Sequence, residues 1–408
     1  MAGDLHRPGA VRLTRRSMLA TGLLGGLAAV TASCSNQIAV AAPALPRGED
    51  LTVGACLDLT GPGKIAATAA QRGLQVAVDR INQSGVTVGN TVHQIQLLTR
   101  DTASDPATAT TMAKDLVEGD RVIGLITAGT TVTANAIAAI AEQASVPMLA
   151  ANAADGLVRP VVQRRFVFKL QPNASDIAET LVDALASSGK RKVAVLATAD
   201  DYGDSGLAAL ATATATAGVT ITRTARLALG VEDYTDAVRQ VLTGRPDAVV
   251  VWGVAPAAGL AARALHASAY SGMVLFDPGA ASEDTMSAQN RAATLNCLVV
   301  SPFILSGPPP AVTTPAAIAQ RDYFDQYTRL YGAFSGLSVY AADALNLLAG
   351  GARRAGSSNH LKVRNGLESI PFDGLAGSYK FSTIDHGGVQ SDSLRIFKID
   401  STGWVLSG

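Results

Sequence analysis

The fold class is decided by residues 192–227, which read KVAVLATADDYGDSGLAALATATATAGVTITRTARL. The stretch opens with an apolar, β-branched run at Lys192–Thr198, which is typical of a strand. An Ala-rich segment with a helical period follows at 205–217, and a second β-branched run follows at 219–227. A strand, a helix and a strand in this order predict a βαβ unit on a parallel sheet.

The same alternation continues in both directions. Towards the N terminus we expect strands at 51–57, 92–100, 121–126, 146–150 and 166–170, and helices at 64–83, 105–118 and 131–143. Towards the C terminus we expect helices at 176–188, 234–243 and 256–268, and strands at 248–254, 273–276 and 297–303. Two such series, separated near Gln171 and Pro172, predict two similar α/β lobes. The length of 408 residues agrees, because one hydrophobic core rarely holds so many.

The last hundred residues do not continue this alternation of strands and helices. A Pro-rich stretch, SGPPPAVTTP at 306–315, reads as a linker. Helices are then expected at 316–330, 337–354 and 359–367, with β structure at 377–381, 393–398 and around Trp404.

The N terminus has the pattern of an export signal. Arg15 and Arg16 precede an uncharged run rich in Leu, Ala and Gly, as in twin-arginine signals of bacteria. The run ends at Thr31-Ala32-Ser33-Cys34, so Cys34 is a candidate for lipidation that would make the protein a surface lipoprotein. An ordinary secreted or periplasmic protein, cut near Ala39-Val40-Ala41, is the alternative. An uncleaved anchor is disfavoured because a spanning helix needs about 20 apolar residues.

Composition excludes several functions. The net charge is zero and aromatic residues make up only 5% of the chain, so no basic patch or stacking platform for nucleic acid is expected. The sequence contains no CxxC or HxxxH pattern for zinc. Cys56 and Cys297 lie in separate apolar runs, and we interpret them as free buried thiols rather than a disulfide.

Candidate sites lie where strands end and helices begin, because ligands of open parallel sheets bind there. Thr127, Thr130 and Thr131 form one such loop, and their hydroxyl groups with free helix amides suit a carboxylate. Simple helix capping by Thr explains them equally well. The loop 200–204, DDYGD, resembles a calcium loop only weakly, and a helix cap is the favoured interpretation. No GxSxG, SxxK or HExxH pattern supports an enzyme.

Several short motifs together resemble the branched-chain amino-acid (leucine/isoleucine/valine) binding proteins of bacterial ABC transporters. The matching residues are Leu59-Thr60-Gly61-Pro62, Gly124, Val146-Pro147, Ala151-Asn152, Asp201-Tyr202-Gly203, Tyr340-Ala341-Ala342-Asp343-Ala344, Phe372-Asp373-Gly374, Gly377, Phe381, Asp385 and Gly387. The resemblance covers residue 50 to the end. It implies an α/β fold of two Rossmann-like lobes joined by a three-crossing hinge, the type I periplasmic binding protein fold.

The resemblance also implies boundaries. Residues 1–34 would be the export signal and 35–49 a tether. The crossings are expected near Gln171, Ser306 and Ser391. Lobe one would then comprise 50–170 with 306–391, and lobe two 171–305 with 392–408.

In this family the threonine loop holds a ligand carboxylate, which assigns that role to Thr127, Thr130 and Thr131. The next loop contributes Asn152 and Ala153, and lobe two contributes Tyr202. The family's acid, which binds the ligand ammonium group, falls on Gly279 here. Asp277 is the only carboxylate nearby in sequence, so we expect it to take that role or the ligand to lack an ammonium group.

The expected function is capture of an amino acid or a related small carboxylate for an ABC importer, without catalysis and without a cofactor or metal. The partner would be a membrane permease, and the protein itself is expected to be a monomer. The alternatives are a ligand-sensing module of the same fold and a secreted hydrolase.

Overall fold

A computed structural model describes residues 45–308 and 311–407 of the chain. The segment Leu45–Gly408 forms one compact unit. The expected export signal, the lipidation site Cys34 and most of the tether lie outside the described residues. Within the described ranges, no helix is long and apolar enough to cross a membrane.

The first sheet has five strands in the order β4-β1-β5-β6-β7, and every pair is parallel. The elements of this part are β1 (Leu51–Leu57), α1 (Lys64–Ser84), β2 (Val86–Val88), β3 (Thr91–His93), β4 (Ile95–Asp101), α2 (Pro106–Lys114), β5 (Leu125–Ala128), α3 (Thr131–Ala144), β6 (Met148–Ala150) and β7 (Val167–Lys169). We call this sheet with the helices packed on it lobe one.

The second sheet has seven strands in the order β16-β15-β12-β11-β10-β8-β9. Its elements are α4 (Ala174–Ser187), β8 (Lys192–Thr198), α5 (Asp201–Ala217), β9 (Thr220–Leu227), α6 (Thr235–Leu242), β10 (Ala248–Trp252), α7 (Ala257–Ala267), β11 (Met273–Phe276), α8 (Arg291–Thr294), β12 (Leu298–Pro302), β15 (Leu394–Ile399) and β16 (Trp404–Leu406). Only β15 and β16 are antiparallel to their neighbours. We call this sheet with its helices lobe two.

The chain passes between the lobes three times. It leaves the first sheet after β7 and returns to lobe one after β12. There it forms α9 (Pro315–Tyr331), α10 (Ser338–Ala355), α11 (His360–Glu368), β13 (Phe372–Asp373) and β14 (Ser378–Tyr379). Helix α10 packs on α1, and the chain re-enters the second sheet at β15. The α/β class with two mostly parallel sheets is therefore confirmed, while the boundary residues proposed near 171, 306 and 391 stay a prediction.

Both sheets are covered on both faces, which explains their uninterrupted apolar strands. All five residues of β10 are buried, and six of the seven residues of β1 are buried. Cys56 lies in β1 and Cys297 lies just before β12, and both are free buried thiols, as the sequence interpretation held. Burial raises the pKa of each thiol to about 12.

Two sequence expectations about strands are wrong. The stretch 92–100, expected as one strand, is divided between β3 and β4. The chain first forms a hairpin of β2 and β3, and β4 begins only at Ile95. The strand expected at 121–126 begins only at Leu125, since a π-helical turn at Asp115–Gly119 and a positive φ at Arg121 delay it. Both stretches contain the alternating or β-branched residues typical of strands. Backbone turns within them, however, prevent part of each stretch from pairing with a neighbouring strand.

Two of the family motifs meet in lobe one around a buried carboxylate. Asp343 of α10 accepts hydrogen bonds from the amides of Leu375 (2.7 Å) and Ala376 (2.9 Å) and from the Tyr379 hydroxyl (2.9 Å). A Cβ atom on Gly374 would lie 2.6 Å from this carboxylate, so the turn requires glycine there. Burial raises the pKa of Asp343 to about 7 in spite of these donors.

The raised pKa gives a prediction for stability. The ordinary Asp pKa is about 3.9. Between this value and 7 the folded protein keeps a proton that the unfolded chain has lost, so the contribution of Asp343 to stability falls as the pH rises. Urea unfolding at pH 5 and pH 7.5 should show this fall in the wild type and lose it in Asp343→Asn. The exposed Asp373→Asn variant is the control, and an equal pH slope in all three proteins contradicts the assignment.

Candidate ligand-binding site

A cavity of about 190 Å³ lies between the two lobes, where the carboxyl ends of their strands face each other. Its lobe-one wall consists of the loops that follow β1, β5 and β6. Its lobe-two wall consists of the loops that follow β8, β9 and β10, and Gln171 of the first crossing completes it. The volume lies below the roughly 300–1,000 Å³ of drug-sized sites, so the cavity fits a small ligand.

The lobe-one wall is built on the start of α3. Thr130 caps this helix, and its own amide donates to the Asp58 carboxylate at 2.7 Å. The Thr133 hydroxyl donates to the same Asp58 oxygen at 3.1 Å, and the Thr102 hydroxyl donates to the other oxygen. An internal carboxylate therefore already binds part of the helix N terminus. Within the described ranges, the Thr131 and Val132 amides have no acceptor.

Asn152 forms the neighbouring part of this wall. Its side-chain amide donates to the carbonyl oxygens of Gly129 (2.9 Å) and Thr130 (3.2 Å), which fixes the orientation of the amide group. Its Oδ1 atom has no partner among the described residues, although the residue is only 3% exposed. A buried acceptor without a donor costs about 1–3 kcal/mol, so a ligand donor here would be stabilising.

The lobe-two wall is built around Tyr202, at the start of α5. The side chain is 3% exposed, packs 5.8 Å from the Trp252 ring and donates its hydroxyl to Asp277. Asp277 also accepts from the amides of Gly253 (2.7 Å) and Gly279 (2.8 Å). Burial raises the pKa of Asp277 to about 6, while these hydrogen bonds oppose the rise. Tyr202 thus lines the cavity with its hydroxyl engaged by Asp277.

Five of the seven predicted ligand-binding residues line the cavity, namely Thr130, Thr131, Asn152, Ala153 and Tyr202. Thr127 and Asp277 are not among the lining residues. Thr127 is buried beneath the loop in β5, and its hydroxyl has no partner among the described residues. Asp277 lies behind Tyr202 and orients it, so the carboxylate expected against the ligand contacts this tyrosine instead.

Two carboxylates that the sequence interpretation did not assign to the ligand line the cavity. Asp200 caps α5 with Oδ1, which accepts from the Gly203 amide (3.0 Å) and the Thr198 hydroxyl (2.7 Å). The favoured cap interpretation of this loop is therefore confirmed. Glu232 lies in the loop after β9 and is exposed, with no partner among the described residues. No lysine, arginine or histidine is among the lining residues.

A second cavity, of about 330 Å³, lies within lobe one between α1, α9 and α10. It is larger, but its polar groups are largely engaged. Asp343 accepts the three hydrogen bonds described above, and Arg80 contacts the Ala319 carbonyl (3.4 Å) and Asp322 (3.6 Å). It also lies away from the strand ends of both sheets. The cavity between the lobes is therefore the candidate site.

Two α/β lobes that enclose a small cavity from both sides define a cleft-type ligand-binding protein. The family model described as "Periplasmic binding protein" matches residues 50–403. The chain belongs to this family, which is a family of binding proteins and not of enzymes.

Curated relatives are distant but span most of the chain. Leu/Ile/Val-binding protein homolog 3 of Brucella melitensis is 24% identical over 365 residues, which is 86% of this chain and 92% of that protein. Leu/Ile/Val-binding protein BraC3 of Rhizobium johnstonii is 25% identical over 318 residues, which is 76% of this chain and 80% of that protein. Both names agree with the resemblance deduced from the short motifs.

Solved structures show the same fold. An extracellular ligand-binding receptor from Rhodopseudomonas palustris HaA2 superposes with a TM-score of 0.79 at 21% identity, over 88% of this chain and 100% of that chain. The branched-chain amino-acid binding protein LivJ of Streptococcus pneumoniae, in complex with isoleucine, superposes with a TM-score of 0.73 at 21% identity, over 88% of this chain and 99% of that chain. At this identity the likeness concerns the fold alone.

Proposed function

We propose that the protein captures an amino acid or a related small carboxylate in the cavity between its lobes and delivers it to an ABC permease in the membrane. The observation that carries the proposal is the small cavity lined from both lobes by the loops that follow the strands. Relatives that carry the name Leu/Ile/Val-binding protein support the ligand class.

In this proposal the ligand carboxylate binds at the start of α3. The free amides of Thr131 and Val132 and the Thr131 hydroxyl are the donors, while Thr130 holds the loop through Asp58. Asn152 and Ala153 form the adjoining wall, Tyr202 covers the ligand from lobe two, and Asp277 orients Tyr202. Thr127 supports the loop from beneath.

The twin-arginine segment and Cys34 support a function outside the cytoplasm. The protein is exported and either tethered at the outer face of the membrane by Cys34 or released. Binding is reversible, needs no cofactor, and involves a monomer whose lobes move about the three crossings near Gln171, Ser306 and Ser391.

A thermal-shift screen of the full chain against the twenty amino acids, small amides and small carboxylic acids tests the proposal. A ligand at 100 times its Kd adds about 2.7 kcal/mol to the unfolding free energy, which is an easily measured shift. At least one compound of the screen is expected to raise the melting temperature. The proposal fails if none of them does.

Thr131→Val tests the placement of the carboxylate. This substitution keeps the side-chain volume and removes the hydroxyl, so affinity should fall roughly three- to tenfold, the equivalent of one hydrogen bond. Calorimetric titration with the strongest compound of the screen measures the change, and Thr111→Val, at an exposed position of α2, is the control. Equal affinities of Thr131→Val and wild type would exclude this position from the site.

A further inference from the structure

The cavity has an unusual balance of charge, which bears on the ligand. Its lining includes the carboxylates of Asp200 and Glu232 and no cationic side chain. Arg226 contacts the backbone oxygen of Asp200 (3.4 Å) and is paired with Asp204 (2.7 Å). Among residues 45–308 and 311–407, no side-chain cation forms an ion pair with Asp200 or Glu232.

Both carboxylates have free oxygens. Asp200 is half-buried and uses only Oδ1 for the cap of α5, so Oδ2 has no partner within the described part of the chain. Glu232 accepts no hydrogen bond from the described residues. Asp200 is held in place by its cap contacts at α5, whereas Glu232 lies exposed in the loop after β9.

Other features of the cavity favour a ligand that carries a positively charged hydrogen-bond donor. The Oδ1 atom of Asn152 is a buried acceptor without a donor. Tyr202 lines the cavity with its hydroxyl engaged, and the face of a tyrosine ring attracts a cation. Asp58 already occupies part of the α3 N terminus, which weakens the pull of this helix end on an anion.

Resting on the proposed function, we propose that Asp200 and Glu232 bind a cationic nitrogen of the ligand. They bind the ligand ammonium group, a role that neither Gly279 nor the buried Asp277 can take. The ligand is therefore an amino acid or another small molecule with an ammonium group next to an apolar part, and simple carboxylates are rejected. The loop after β9, which carries Glu232, is then the segment that determines specificity.

Three variants separate this role from a structural one. Glu232→Gln removes the charge from an exposed loop. Asp200→Asn keeps an oxygen that caps α5, since Asn caps helices as well as Asp does. Asp204→Asn is the control, because Asp204 lies in the same first helical turn and is not among the lining residues.

The probes are L-leucine, L-isoleucine and L-valine, each compared by calorimetric titration with the carboxylic acid that lacks only its amino group. At least one amino acid is expected to bind, with its deaminated counterpart weaker by 100-fold or more. Glu232→Gln and Asp200→Asn should each weaken the amino acid at least tenfold, and Asp204→Asn should leave it unchanged. Unchanged melting temperatures of the free variants show that the fold is intact.

The inference is overturned if a deaminated acid binds as tightly as its amino acid, or if both substitutions leave the affinity unchanged. In these two cases the proposed capture of a small carboxylate still stands. If these six compounds and every other compound of the thermal-shift screen fail to bind the wild type, the proposed function itself is contradicted and this inference falls with it.

Discussion

Asp58→Ala is expected to lower the free energy of unfolding by more than about 3 kcal/mol, because three donors, two of them buried, lose their acceptor at once. These donors are the Thr130 amide and the Thr133 hydroxyl at the start of α3, and the Thr102 hydroxyl in the loop after β4. Asp58 is 1% exposed, so water cannot replace the lost oxygens without rearrangement.

The surrounding backbone is shaped around this carboxylate. Cβ atoms placed on Gly63 and Gly129 would lie 2.5 Å and 2.3 Å from Asp58 atoms, and Gly129 has a φ of +135°. The loops after β1 and β5 therefore close directly on Asp58, and its loss leaves a gap beneath the ligand site. Urea unfolding of wild type and variant measures the effect.

Asp105→Ala is the matched control for Asp58→Ala. Asp105 also accepts a backbone amide and a threonine hydroxyl at a helix start, from Thr108 at 2.7 Å and 2.8 Å, but it is exposed. Its loss should be clearly smaller, because water replaces the missing acceptor. Equal losses in the two variants would show that burial of the Asp58 network contributes nothing.

The second large effect is expected at Lys169, the last residue of β7. This side chain is fully buried and donates to the carbonyl oxygens of Gln171 (2.9 Å) and Pro172 (2.7 Å), and it pairs with Asp155 at 3.0 Å. Burial lowers the pKa of Lys169, and the nearby Asp155 carboxylate opposes this shift. The ammonium group thus fixes the backbone of the first crossing between the lobes.

Lys169→Met keeps the length of the side chain, leaves the Gln171 and Pro172 carbonyl oxygens without a donor and removes the cation paired with Asp155. We therefore expect a loss of about 3–5 kcal/mol, the range for breaking a buried ion pair. Adding Asp155→Asn should restore part of this loss, because the carboxylate charge that has lost its cation is then gone, while the Asn oxygen can still accept the Ala174 amide. Denaturant unfolding of the single and double variants measures both steps. Arg239→Met, which breaks the exposed Arg239–Asp236 pair, is the control and should change little. A Lys169→Met loss as small as that of the control would contradict the role of Lys169.

Much of the fold could be predicted from local patterns. The strands Lys192–Thr198 and Met273–Phe276 agree with the prediction, because short apolar runs between turn residues form buried strands of a covered parallel sheet. Helix starts such as Asp105-Pro106 were also correct, since a cap and a first-turn proline are local signals. The errors at 92–100 and 121–126 arose where backbone turns, not side-chain pattern, set the strand ends.

The candidate site was predicted in part for a different reason. The rule that ligands bind where parallel strands end points to the loops that contain Thr130, Thr131, Asn152 and Tyr202. The ligand role of Asn152 and Tyr202 within these loops came from the family resemblance. The same rule, applied also to the loop after β9, would have found Glu232. The sequence alone cannot show that the Asp277 carboxylate accepts hydrogen bonds from Tyr202 and from two backbone amides, because this arrangement forms only when β10 pairs with β11.

The fluorescence of Trp252 tests the central claim most directly, that the cavity between the lobes is the binding site. Trp252 is buried directly behind Tyr202, and Trp404→Phe leaves it as the only tryptophan of the chain. The account predicts a saturable, one-site change in emission when an amino acid that raises the melting temperature is added to this variant. Stabilisation by the same compound with an unchanged Trp252 spectrum would place the ligand elsewhere and contradict the account.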